Sequence, residues 1–258
     1  MKIKRLKSFF RRVVLNGPVP KPRTALKETP FHLKFPSPLP TEIVNSRICV
    51  SHKHRFIYFR VPKAANSFIL AQLLLNGEGE RLSFAEVDKV KENYSISDQI
   101  SHSELDILSQ EYFKFAITRN PYSRFLSAYL DKIVRRKKQL LKVLARLDLP
   151  MGTILTLDQF ASYLETDGAL HDDAHWARQN DLIVMPNESL DFVGKFEKLN
   201  TDLYHIMSRI FGTFNVENLA QAHVTNADKT IETLINSDIR KRVFRLYYED
   251  FERFEYPK

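Results

Sequence analysis

Cysteine is all but missing from this chain. Cys49 is the single one in 258 residues, which excludes an intramolecular disulfide and a cysteine-built metal site and removes any need for an oxidising compartment. Cytoplasmic residence is the expectation. Long apolar runs are missing too: no stretch approaches the roughly 18 uninterrupted residues of a spanning helix, and the opening MKIKRLKSFFRRVVL has neither an extended apolar region nor a small-residue cleavage site. Neither secretion nor a membrane span is expected. The chain shows no internal repeat, no low-complexity block and no convincing cluster of metal ligands, so no metal is expected.

What is present is apolar mass and positive charge. With 43% hydrophobic residues the chain can bury a sizeable core, and 39 Lys and Arg against 31 Asp and Glu leave a formal net charge of +8. That balance favours an anionic partner: nucleic acid, a phosphate-bearing cofactor, an acidic glycan or a membrane surface. Charge alone does not choose among them. Near the start, Ile3, Leu6, Phe9, Phe10, Val13 and Val14 fall on one helical stripe opposite Lys2, Lys4, Arg5, Lys7, Arg11 and Arg12. Residues 1–15 therefore suit a peripheral membrane contact, and equally a basic helix packed on the protein itself. A proline-rich stretch from Pro18 to Pro40 reads as an extended tether. The division expected is 1–42 for helix and tether and 43–258 for one folded domain.

Strands and helices then alternate, which predicts an α/β domain with a central, mostly parallel sheet flanked by helices. The apolar runs place strands at 56–61 and 113–118, with shorter ones near 181–185 and 191–196. Helices are predicted at 67–76 closed by Gly77, at 121–146 behind Pro121, and at 157–165 with Thr156 and Gln159 as a capping box. Two more are predicted at 201–211 behind Asn200, stopped by Gly212, and at 237–254 behind Asn236 or Ser237.

Two of these junctions carry chemistry. In FIYFRVPKAANSF, residues 56–68, a buried-looking strand hands over to a helix through a short loop, and such a loop offers backbone N–H groups and a positive dipole end to an anion. Lys63 adds a full charge, Asn66 and Ser67 add short donors, and Ala64 and Ala65 are small enough for an oxyanion to approach the backbone. It is not a Walker loop, because the glycines of GxxxxGK[ST] are absent. An ordinary turn with a solvated lysine would read the same. The second junction is YFKFAITRNPYSRFLSAYLDKI, residues 112–133: a strand ends at Thr118, Arg119 comes next, Asn120 can cap, Pro121 opens a helix, and Ser127 lies further along it. Two basic junctions at the carboxyl edge of a parallel sheet could grip the two ends of one polyanionic ligand.

VPKAANSF resembles the 5′-phosphosulfate loop, and TRNPYSRFLSAYLDK the 3′-phosphate segment, of sulfotransferases that use 3′-phosphoadenosine 5′-phosphosulfate (PAPS), in particular the carbohydrate branch called family 2. The similarity continues through HDDAHW at 171–176, DFVGKFEKL at 191–199 and LYYEDFERFEY at 246–256, over roughly residues 48–256. Golgi members carry an N-terminal anchor and lumenal disulfides; this sequence shows neither, and a bacterial, cytoplasmic member, with residues 1–15 at the inner face of the membrane, is the better match. The resemblance implies a P-loop-NTPase-like sulfotransferase fold and transfer of a sulfuryl group from PAPS to a hydroxyl of a surface glycan, glycolipid or polysaccharide, without a metal. It implies further that Lys63 acts on the bridging oxygen and 5′-phosphate with Ala64, Ala65, Asn66, Ser67 and Phe68, and that Arg119 and Ser127 hold the 3′-phosphate. Lys229, in HVTNADKT, would reach the same phosphate, although a polar turn explains that stretch nearly as well.

The acceptor hydroxyl needs a base, and histidine suits neutral pH. His102 lies between the two junction motifs, where related enzymes keep a histidine read as the base, and is favoured; His175 is the second candidate. Asp172 and Asp173 are weaker ones that would serve as helix caps alone. The basic run 132–146 reads as the solvated side of a helix with one packed face. A nucleotide-phosphate kinase of similar architecture and a non-enzymatic basic module for nucleic acid or membrane are the competing explanations. The first lacks its glycines, and the second explains only the charge, so no nucleic-acid partner is expected.

Overall fold

The most apolar runs of the sequence pair with one another. In the computed structural model, which describes residues 29–79, 81–136, 138–214 and 234–258, four strands form one sheet in the order β1 (Ile48–Ser51), β2 (Phe56–Phe59), β3 (Phe113–Thr118) and β4 (Phe192–Lys195). β1 lies antiparallel to β2, Ile48 opposite Phe59, while β2, β3 and β4 run parallel, Tyr58 opposite Phe115 and Thr118 opposite Lys195. β1 and β2 are buried at every position, as strands covered on both faces must be, and the rings of Tyr58 and Phe115 stack at 4.8 Å across the central pair. The sheet is thus α/β but mixed, through a short edge strand that the apolar pattern did not predict.

Helices match the predicted pattern with informative departures. Leu157–Glu165 forms with the expected capping box, Thr156 Oγ1 accepting from the Gln159 N–H at 3.2 Å. Asn66–Glu78 runs past Gly77 and ends at Gly79, whose φ of +70° suits glycine. The helix expected over 121–146 is broken: Pro121–Ala128 passes into a wider π turn at Tyr129–Val134, the chain turns through Arg136 at φ +51°, and Lys138–Arg146 completes the span. Ser237–Leu246 and Tyr248–Arg253 replace one predicted C-terminal helix.

Residues 181–185 are no strand. Gln179–Leu182 is a short helix, and its first N–H groups are taken by Asp250, about 70 residues away in sequence, a partner no local pattern could reveal. Part of the expected tether also folds, for Pro30–Lys34 and Thr41–Asn45 are helical and Phe31 and Leu39 sit in the core. Residues 1–15, most of the remaining tether and Lys229 lie outside the described residues. No helix among the described residues is long and apolar enough to cross a membrane.

Candidate active site

Three parallel strands end at one edge and place a residue there apiece: Lys63 beyond β2, Arg119 beyond β3 and Phe196 beyond β4. The three residues meet. Arg119 Nη1 donates to the Lys63 carbonyl at 3.1 Å, and its guanidinium lies over the Phe196 ring at 4.2 Å. Buried Arg124 donates from Nε to the Pro62 carbonyl at 3.1 Å, and from its two terminal nitrogens to Ala177 O (2.7 Å) and Ala174 O (3.1 Å). Two buried guanidiniums therefore hold two successive carbonyls of the loop. Because the Pro62–Lys63 peptide is trans, turning its oxygen toward Arg124 turns the Lys63 N–H to the opposite side.

The loop is strained in a way that suits an anion. Lys63 and Ala65 have φ of +71° and +58°, a left-handed conformation costing a non-glycine residue roughly 1–2 kcal/mol. Ala65 is also the N-cap of Asn66–Glu78, and no side chain caps that helix, which leaves its first N–H groups to an outside acceptor. Ala64 and Phe68 are buried, whereas Ala65, Asn66 and Ser67 remain partly accessible.

Lys63 points at a carboxylate absent from the predicted site. Its Nζ lies 3.0 Å from Asp131 Oδ2, and Lys132 Nζ reaches the same oxygen at 3.0 Å, with all three side chains about one-fifth exposed or less. Burial pushes the Lys63 ammonium down while Asp131 opposes it; burial of Asp131 works against its charge, but Lys63 and Lys132 prevail and pull it to about 2. A carboxylate so acidic is no general base. Asp131 and Lys132 sit in the π turn, so the break in the helix is what turns them toward the loop.

His175 is half-buried, its Nδ1 2.5 Å from Asp173 Oδ1, and Gln139 Nε2 donates to the other oxygen of Asp173 at 3.3 Å. Burial lowers the His175 pKa to about 4; Asp173 opposes this, while Lys132 and Arg47 add to it. Asp173 itself is held below the usual carboxylate range: burial opposes its charge, and the bond from His175 outweighs it. With Nδ1 committed to Asp173, Nε2 is the nitrogen left to accept a proton. Asp173 Oδ1 also accepts the His175 N–H at 2.9 Å and so caps the turn at 174–176, whereas Asp172 binds Arg146 at 2.8 Å and the Tyr163 hydroxyl at 3.0 Å.

His102 stands apart from this group. It is the exposed first residue of His102–Glu111, the helix leading into β3, and among the described residues its ring forms no hydrogen bond. The preceding loop is nonetheless tied to the exit of β2, Arg60 Nη2 donating to Ser95 Oγ at 3.3 Å, so the helix starts on the strand-end side of the sheet. Ser127 is 3% exposed within Pro121–Ala128, and Arg119 is 1% exposed. A phosphate meeting these two must displace what covers them. The described residues contain no group of three or more His, Cys, Asp or Glu side chains able to hold a metal.

Comparison with known proteins places this edge in context. The profile described as "Sulfotransferase family" matches residues 46–257. Carbohydrate sulfotransferase 14 of Danio rerio is 29% identical over 86% of this chain and 65% of its own length; carbohydrate sulfotransferase 10 of the same fish is 26% identical, with 84% and 68% covered. Carbohydrate sulfotransferase 11 of Rattus norvegicus is 24% identical over 81% of this chain and 66% of its own. The chain thus spans about two-thirds of the length of these relatives. No solved structure matches it at comparable significance. With a profile match that contains both basic junctions and the C-terminal segment, the chain belongs to the sulfotransferase family.

Proposed function

We propose that the protein transfers the sulfuryl group of PAPS to a hydroxyl of a carbohydrate, a surface glycan, glycolipid or polysaccharide. The observation that carries this is the bond from Arg119 to the Lys63 carbonyl, which joins two basic strand-to-helix junctions into one anion-binding edge. Family membership and the carbohydrate sulfotransferases among the relatives support the same assignment.

In this scheme the acceptor oxygen attacks sulfur, the bond from sulfur to the bridging oxygen breaks, adenosine 3′,5′-bisphosphate leaves, and the hydroxyl proton passes to a base. Such a transfer asks the chain mainly for positioning and charge. Lys63 and the N–H groups at Ala65 to Phe68 meet the 5′-phosphate and the negative charge growing on the bridging oxygen, while the Ala64 N–H is spent within the loop on the Val61 carbonyl at 3.3 Å. Arg119 and Ser127 take the 3′-phosphate. His175 accepts the proton at Nε2, because its ring is oriented by Asp173 and its neighbour Lys132 shares Asp131 with Lys63. His102 is the other candidate on that edge. Action at the cytoplasmic face of a membrane, with residues 1–15 as the contact, completes the proposal and is supported by their segregated charge alone.

The test is incubation with sulfur-labelled PAPS and a panel of glycans and glycolipids from the protein's own cell, with Lys63→Ala alongside. Label should enter a carbohydrate fraction, and Lys63→Ala should lose turnover more than nucleotide affinity, since its charge matters most as the bond breaks. Absence of label from every fraction, or binding of ATP in preference to adenosine 3′,5′-bisphosphate, would refute the assignment.

A further inference from the structure

The proposed chemistry leaves LYYEDFERFEY, residues 246–256, without a task. Two of its polar side chains, Tyr256 and Asp250, nevertheless lead to Arg119. The Tyr256 hydroxyl lies 3.0 Å from Oγ1 of Thr118, the residue before Arg119, and the Tyr247 hydroxyl donates to the Trp176 carbonyl at 2.7 Å. Asp250, wholly buried, accepts from the Gln179 N–H at Oδ2 (2.9 Å) and the Asn180 N–H at Oδ1 (2.8 Å). Gln179, also wholly buried, closes the chain of contacts. Its amide oxygen accepts the Arg119 N–H and its amide nitrogen donates to the Arg119 carbonyl, both at 2.8 Å.

Bonding both backbone groups of one residue fixes where its side chain starts, as a pairing strand does. Arg119 is the residue so fixed, and its guanidinium must land on both Phe196 and the Lys63 carbonyl. The Asp250 carboxylate is equally specific. Each oxygen takes one N–H, so an asparagine would set an NH2 group against one of these donors.

We propose that Gln179, fixed by Asp250 of the C-terminal segment, is the positioning residue for Arg119 and sets the preference of the site for a nucleotide that bears a 3′-phosphate. This rests on the assignment of Arg119 to that phosphate, and the experiment separates the two. Calorimetry on the full chain compares adenosine 3′,5′-bisphosphate with adenosine 5′-phosphate. Wild type must prefer the bisphosphate and Arg119→Lys must lose much of that preference; if either fails, the assignment of Arg119 falls and the proposal with it.

Once that control holds, Gln179→Met, similar in shape but unable to make either bond, should lower the preference about tenfold with adenosine 5′-phosphate affinity nearly unchanged. Gln179→Glu, which keeps the bond to the amide and loses the one to the carbonyl, should fall between. Asp250→Asn should act in the same direction. A preserved preference in Gln179→Met, or equal weakening of both nucleotides, overturns the proposal. Should that variant lack a cooperative melt, Gln179→Glu and Asp250→Asn carry the comparison, and a preserved preference in either overturns it.

Discussion

Lys63 and Lys132 share one oxygen of Asp131, so each ammonium depends on a carboxylate whose removal leaves two cations together in a partly buried place. Asp131→Asn should therefore push the Lys63 pKa further down, since burial already lowers it and Asp131 opposes that burial. Turnover should fall roughly tenfold, and the alkaline limb of the rate profile should move to lower pH while nucleotide affinity changes less. An unmoved limb would separate Asp131 from Lys63. The two histidines are told apart in the same way. If His175 is the base, the acid limb lies near 4 and the rate stays flat through the range where an ordinary histidine, near about 6.5, would titrate; His175→Ala should abolish the limb and cost about 100-fold or more in turnover. Loss of the limb in His102→Ala instead would assign the proton to His102.

At the scale of elements, β4 shows how tightly the edge is built. A Cβ on Gly194 would strike the Ile117 side chain and come within 2.9 Å of Asp202 Oδ2, the oxygen that accepts the Lys195 N–H just before Phe196. Gly194→Ala should cost about 1–3 kcal/mol and depress the melting temperature by several degrees; an unchanged melt would show that β4 gives way easily. The elements legible in the sequence were those with local signatures: the apolar runs of β2 and β3, the capping box at Thr156, and Asn236, whose side chain accepts the Ile239 N–H at 2.9 Å. Both basic junctions were legible for the same reason. The helices Phe84–Val90 and His102–Glu111 carry the same local signature, capping boxes of Ser83 with Glu86 and Ser101 with Glu104. The illegible parts depend on distant partners. Lys132 reads in the sequence as part of the solvated side of a helix, whereas the π turn sets Asp131, which Lys132 also binds, against Lys63, and Arg124 and Gln179 act on carbonyls and amides 50 or more residues away.

At the scale of the whole molecule, buried titratable groups pull its acid stability in opposite directions. His175 is neutral when folded down to about 4, whereas unfolded it gains its proton near 6.5; between these values the unfolded chain binds more protons, and stability is lost as pH falls. Over that window the loss amounts to about 3 kcal/mol. His32, also pushed down by burial, adds to it. Asp250 acts oppositely: burial raises it to about 6 against Arg124 and two backbone N–H groups, so between about 3.8 and 6 the folded chain binds more protons and gains stability as pH falls. Asp181, raised by burial, joins it. Asp131 and Asp173 are depressed and lose their contributions only below the ordinary carboxylate range, outside this window. Replacing His175 removes one arm of the balance. Urea denaturation of wild type and His175→Gln at pH 7 and pH 5 should therefore show the variant losing about 2 kcal/mol less than wild type on acidification. Equal losses in the two proteins would mean that His175 takes its proton at the same pH folded and unfolded, near about 6.5, and the flat rate profile expected of it as the base would then fail as well.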